Sequence, residues 1–99
     1  MKVEISKSPN PEKKYKIVLY YDDGRTKTVH IGQAGASDYT IHKDKERRDR
    51  YIERHRARED WTKSGIDTAG FWSKYLLWNK PTIGEAKKYI EKKFNLKIN

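Results

Sequence analysis

Apolar positions change their spacing several times along this 99-residue chain, and each change marks an element. From Tyr15 to Tyr21 the aromatic and β-branched side chains Tyr15, Ile17, Val18, Leu19, Tyr20 and Tyr21 suit a pleated surface and predict a strand. Asp22-Asp23-Gly24 supplies turn chemistry, and Thr26 to Ile31 alternates as the return strand of a hairpin. Upstream, residues 1–14 mix Ser, Pro and Asn with charge and read as an N-terminal arm or a short edge strand through Val3 and Ile5. Downstream, Gly32 to Ser37 is a small-residue loop.

The second half reads as helical. Thr40 to about Asp60 predicts one long helix without Gly or Pro, in which 14 of the 19 residues from His42 onward are charged. Such a helix buries only a narrow stripe, here Tyr51, Ile52 and His55, and the pairs Asp44/Arg48 and Glu46/Arg50 have the favourable i, i+4 order. Lys63-Ser64-Gly65 ends it. Thr68 then caps a dense apolar segment from Ala69 to Trp78, too apolar for an amphipathic stripe and therefore the expected centre of the core. Thr82 and Glu85 form a capping box for a last helix to about Phe94, with Ile83, Ala86, Ile90 and Phe94 on one side. The expected fold is α+β: a β-hairpin or three-stranded antiparallel sheet packed with two or three helices, as a single domain over residues 15–99.

Composition tightens this picture. Leu, Ile, Val and Phe make up fewer than a fifth of the residues, a disorder warning when net charge is high. Seven Tyr and three Trp supply the missing apolar area, so a thin-cored globular domain is expected. With no cysteine, disulfides, thiolate metal sites and thiol catalysis are excluded. No apolar run reaches the length of a membrane span and Met1-Lys2-Val3-Glu4 lacks signal-peptide character, so a soluble intracellular chain is expected. The net charge of +9 points to a polyanionic or acidic partner, and more than half of the surplus falls after residue 60.

Two basic groups carry that expectation. Arg47, Arg50, Arg54 and Arg58, spaced 3, 4 and 4, align four guanidiniums along one helix face, where they repel one another unless an anion neutralises them. Lys87, Lys88, Lys92 and Lys93 line the last helix and suit sequence-independent attraction to phosphate. Trp61 and Trp78, beside charged or loop residues, are the candidate apolar anchors for a partner, whereas Phe71 and Trp72 belong to the core. His30, His42 and His55 show no metal-ligand spacing, and no metal or cofactor is expected. Asp38 and His42 lie one helical turn apart, where a capping hydrogen bond outweighs a base-and-orienter pair. A hairpin ending in His30-Ile31-Gly32 before an Arg-rich helix is faintly similar to GIY-YIG endonucleases. The Gly-Ile-Tyr string is absent, however, and His30 replaces the second motif's tyrosine, so no catalytic residue is assigned.

Ser37-Asp38-Tyr39-Thr40-Ile41-His42-Lys43-Asp44, the pattern from Arg47 to Trp61, and Thr68-Ala69-Gly70-Phe71-Trp72-Ser73 resemble a family of small basic proteins of large nucleocytoplasmic DNA viruses of algae and amoebae. The resemblance covers about residues 15 to 83. It implies no enzymatic activity and a setting in the virion or the viral factory of the host cytoplasm. The resulting expectation is a non-enzymatic structural component of a virus particle, a minor capsid or cement-like protein. It would bridge major capsid or other virion proteins through the arginine stripe, the lysines, Trp61 and Trp78. The alternative is a sequence-independent DNA-binding or genome-packaging protein using the same cations.

Overall fold

A computed structural model describes the whole chain from Met1 to Asn99. Three strands come first: β1 (Lys2–Lys7), β2 (Lys13–Tyr20) and β3 (Thr26–Gln33). The β2–β3 hairpin forms as the residue pattern predicts. Its loop is Asp22-Asp23-Gly24, where Gly24 takes φ +91 and its N–H donates to the Tyr21 carbonyl at 3.1 Å, and Tyr21 N–H donates to the Arg25 carbonyl at 2.9 Å. A positive φ at the third loop residue lets the strands leave with matching twist, and glycine adopts it without steric cost.

Residues 2–7 lie inside the sheet, where an arm or edge strand was expected. β1 pairs antiparallel with β2, placing Val3 opposite Leu19 and Ile5 opposite Ile17. Its other edge pairs in parallel with β4 (Lys97–Ile98), so the sheet has four strands in the order β3-β2-β1-β4 and is mixed. Asn99 N–H donates to the Val3 carbonyl at 2.9 Å and closes that edge. The α+β class holds, with one strand more than the antiparallel three.

The helical layer begins with α1 (Tyr39–His42) and α2 (Lys45–His55). The long helix expected from Thr40 to Asp60 is therefore two, and it ends early. Lys43 adopts φ +55 between them. Asp44 caps α2, its Oδ1 accepting the N–H groups of Glu46 at 3.0 Å and Arg47 at 3.3 Å. A short polar side chain that satisfies orphan amides starts a helix as readily as it sits inside one. Asp38 caps α1 in the same way through Thr40 N–H, and its second oxygen holds Lys14 Nζ of β2 at 2.6 Å, both side chains being largely buried. Asp38 and His42 thus do not pair; His42 Nδ1 accepts the Asp44 N–H at 2.9 Å.

A 3₁₀ turn at Lys63–Gly65 leads to α3 (Ala69–Trp72), capped by Thr68 as expected, which continues as a π-helical turn over Ser73–Trp78. The wider turn points Tyr75, Leu76 and Leu77 inward in succession, so all three are buried. The helix α4 (Ile83–Phe94) keeps the Thr82 cap, with Glu85 N–H donating to Thr82 Oγ1 at 3.2 Å, while the Glu85 carboxylate bonds the Thr82 hydroxyl and not its N–H, and the helix buries Ala86, Ile90 and Phe94. The core joins Val3, Ile17, Leu19 and Ile31 of the sheet to Phe71, Trp72, Leu76 and Ile90. Trp72 satisfies its indole N–H on the Ile66 carbonyl at 2.6 Å.

Candidate functional site: two basic helices

Helix α2 buries no residue fully, so its sequence serves the surface it presents. At 3.6 residues per turn, Arg47, Arg50 and Arg54 share one arc, while Glu46, Asp49 and Glu53 fall on the arc beside it. Arg58 lies beyond the helix end, in the turn where its N–H donates to the His55 carbonyl at 3.0 Å, so the stripe keeps three helical guanidiniums and a fourth in the loop.

Ion pairing separates these arginines from their neighbours. Arg48 binds Asp49 at 3.0 Å and Arg56 binds Glu53 at 3.5 Å, but none of Arg47, Arg50, Arg54 and Arg58 has a carboxylate within 4 Å. The expected Asp44/Arg48 and Glu46/Arg50 pairs do not form. The Asp44 carboxylate is used on the helix cap, and Arg48 instead lies over the Tyr39 ring at 5.1 Å. All four stripe residues are exposed.

The helix is fastened by aromatic rings. Tyr51 stacks on Trp78 with centroids 4.3 Å apart and planes within 1°, and His55 stacks on the other side of Tyr51 at 4.1 Å. His42 tilts against Trp78 at 5.4 Å. Burial is the main cause that pushes the Tyr51 hydroxyl up to about 12; the Glu59 carboxylate adds to it and the Arg54 guanidinium opposes it. Trp78, expected to be an anchor for a partner, is half-buried in this stack. Trp61 is likewise engaged within the chain: its Nε1 donates to the Gly70 carbonyl at 3.3 Å, its carbonyl accepts the Tyr75 hydroxyl at 2.7 Å, and Lys74 lies over its ring at 4.9 Å. Neither indole is a protruding side chain, a property that depends on tertiary neighbours and leaves no local signal.

The second basic surface is α4. Lys88, Lys92 and Lys93 are exposed and Lys87 is half-exposed. No lysine after residue 60 has a carboxylate within 4 Å, because the acids of that region are engaged elsewhere. Glu85 accepts from Thr82 Oγ1 at the start of the helix, Glu91 accepts the Ile98 N–H of β4 at 3.2 Å, and Asp67 faces Lys27. The lysines lean on aromatic faces, Lys80 over Tyr89 at 5.1 Å and Lys93 over Phe94 at 5.7 Å. Burial, and then the Lys93 ammonium nearby, hold Lys74 below the ordinary lysine range.

The three histidines do not gather. His30 on β3 bonds Ser8 Oγ through Nδ1 at 2.8 Å, while His42 and His55 stand at opposite ends of the aromatic stack. No group of three or more His, Asp or Glu side chains is placed to hold a metal ion.

Residues 3–55 match the Family of unknown function (DUF5754), over half of the chain. The chain belongs to this family. The matched span holds β1 to β3, α1 and α2 with Arg47, Arg50 and Arg54; it leaves out Arg58, both candidate tryptophans and the lysines of α4. No curated protein and no solved structure matches the chain.

Proposed function

We propose that this DUF5754 member is a non-enzymatic binding module that lies along the sugar–phosphate backbone of duplex DNA without reading its sequence. The setting, a large DNA virus particle or the cytoplasmic factory that assembles it, rests on the family resemblance of the sequence. The binding mode rests on one observation, the arginine stripe left without carboxylate partners beside acids that pair with other arginines. Guanidinium forks match phosphate oxygens, and releasing counterions from DNA supplies the free energy. The lysines of α4 add a second cationic surface that needs no base contact. A cement-like protein between capsid subunits would use the same cations on acidic surfaces. Its apolar anchors, Trp61 and Trp78, are spent on internal packing, so the charge-driven reading has the better support.

The test is fluorescence anisotropy of a labelled duplex between about 50 and about 200 mM salt. Log affinity is expected to fall linearly with log salt. The double variant Arg50→Glu/Arg54→Glu is expected to weaken binding at least about tenfold and to flatten the slope by about two, near 0.9 for each phosphate that is no longer neutralised. Both side chains are exposed, so the thermal transition should be unchanged. No measurable binding, or a slope unaffected by the double variant, would defeat the proposal.

A further inference from the structure

The helix-facing side of the sheet continues past the helices into a cleft. By strand alternation Val3, Ile5 and Lys7 of β1 share that side with Tyr15, Ile17 and Leu19 of β2, and the register sets Lys7 opposite Tyr15. Exposure grows along β1 from Val3 at 0 % and Ile5 at 9 % to the exposed Lys7. The last row sets Lys7 across the ladder from Tyr15, and Lys13, two residues before the tyrosine on the same strand, lines the same cleft. Cross-strand neighbours of this kind have Cβ atoms about 5 Å apart.

That row opens into a cleft of about 700 Å³, lined also by Ser8, Asn10 and Gly35. Sites for small ligands span about 300 to 1,000 Å³, so a nucleotide fits. No acidic side chain lines the cleft, and neither Lys7 nor Lys13 has a carboxylate within 4 Å. A third lysine at the cleft, Lys14, is committed to Asp38 and the Ala36 carbonyl and shapes the wall. Asn10 Oδ1 accepts the Glu12 N–H at 2.9 Å, which leaves the amide NH₂ of Asn10 as a donor.

We propose that this cleft binds unpaired nucleotides of a single-stranded nucleic acid, one base resting on Tyr15 and the flanking phosphates held by Lys7 and Lys13. An aromatic platform beside cations is the arrangement that single strands need and duplexes cannot use, because paired bases have no free face to stack. The cleft lies on other elements than the α2 stripe, and this inference does not depend on the duplex contact.

A labelled thymidine oligomer of about ten nucleotides is the probe, read by anisotropy with the full chain. Tyr15→Leu, which keeps an apolar side chain beside Ile31, is expected to weaken the oligomer about tenfold and to leave duplex affinity unchanged. Lys7→Gln/Lys13→Gln is expected to weaken it and to flatten its salt slope by about 1.4, near 0.7 for each phosphate contact. Should Tyr15→Leu fail to show a cooperative melt, Tyr15→Trp should hold or raise the affinity, and a loss there refutes the stacking role. Three results overturn the proposal: no oligomer binding, equal losses for oligomer and duplex, or a silent Tyr15→Leu beside an effective lysine variant, which would mean a phosphate site without a base. A chain that ignores duplex DNA but shows the Tyr15 dependence loses the duplex reading and keeps this one.

Discussion

Tyr51 joins packing to charge in a single side chain. Its ring lies flat between Trp78 and His55, while its hydroxyl answers to Glu59 and Arg54. Because burial, then Glu59, raise it to about 12 from an unfolded value of about 10, the folded chain keeps this proton at pH values where the unfolded chain has lost it. The contribution is therefore fully present below about pH 10 and is lost as pH rises towards 12. Tyr51 is only partly buried, and solvent screening reduces the loss to about 1 kcal/mol. An ultraviolet titration of the seven tyrosines should show a last ionisation near 12 that is absent in Tyr51→Phe and earlier in Glu59→Gln. If the late step survives Tyr51→Phe, the stack around Tyr51 is misjudged. At this scale the residue types of the candidate site were legible, since spacing alone aligns Arg47, Arg50 and Arg54. Their lack of partners was not, because it turns on the neighbouring acids Asp49 and Glu53 pairing with Arg48 and Arg56 instead.

As an element, α2 is marginal. Its 11 residues fall short of the roughly 12 to 15 that an isolated helix needs, and none is fully buried. It depends on the Asp44 cap, the Arg48–Tyr39 contact and above all the Tyr51–Trp78 stack, whose partner lies in the π-helical turn. Trp78→Ala should therefore release the helix: amide exchange over residues 45–55 should quicken at least about tenfold, while β1 and β2 stay protected. Duplex affinity should fall with it, although no cation has been touched. Uniform loss of protection would show that Trp78 supports the whole core instead. Features made by neighbours in the chain were readable beforehand: the hairpin with its Asp-Asp-Gly loop, and the Thr68 and Thr82 caps. Features made by distant pairing were not. β4 is two residues long and exists only because Val3 of β1 offers it an edge. The row Lys7–Tyr15 becomes a site only once the β1–β2 register is known.

Across the whole molecule, the family's matched span and the folding unit do not coincide. Residues 3–55 hold three of the four strands and the three helical arginines of the stripe, but only six of the sixteen core side chains; the other ten, from Ile66 to Leu96, form the layer that covers the sheet. A sheet whose apolar face lacks a second layer cannot bury it, so residues 1–60 made alone should show no cooperative melt and no protected amides. Position should then cease to matter in DNA binding. In the unfolded fragment a cation is one charge among many, and Arg50→Glu/Arg54→Glu should cost no more than Lys2→Glu/Lys16→Glu. In the intact chain the stripe pair should cost several times more than that control pair, because α2 holds its guanidiniums where one run of phosphates can meet them together. Equal losses in the intact chain would mean that net charge alone draws the DNA and that the stripe's alignment is incidental.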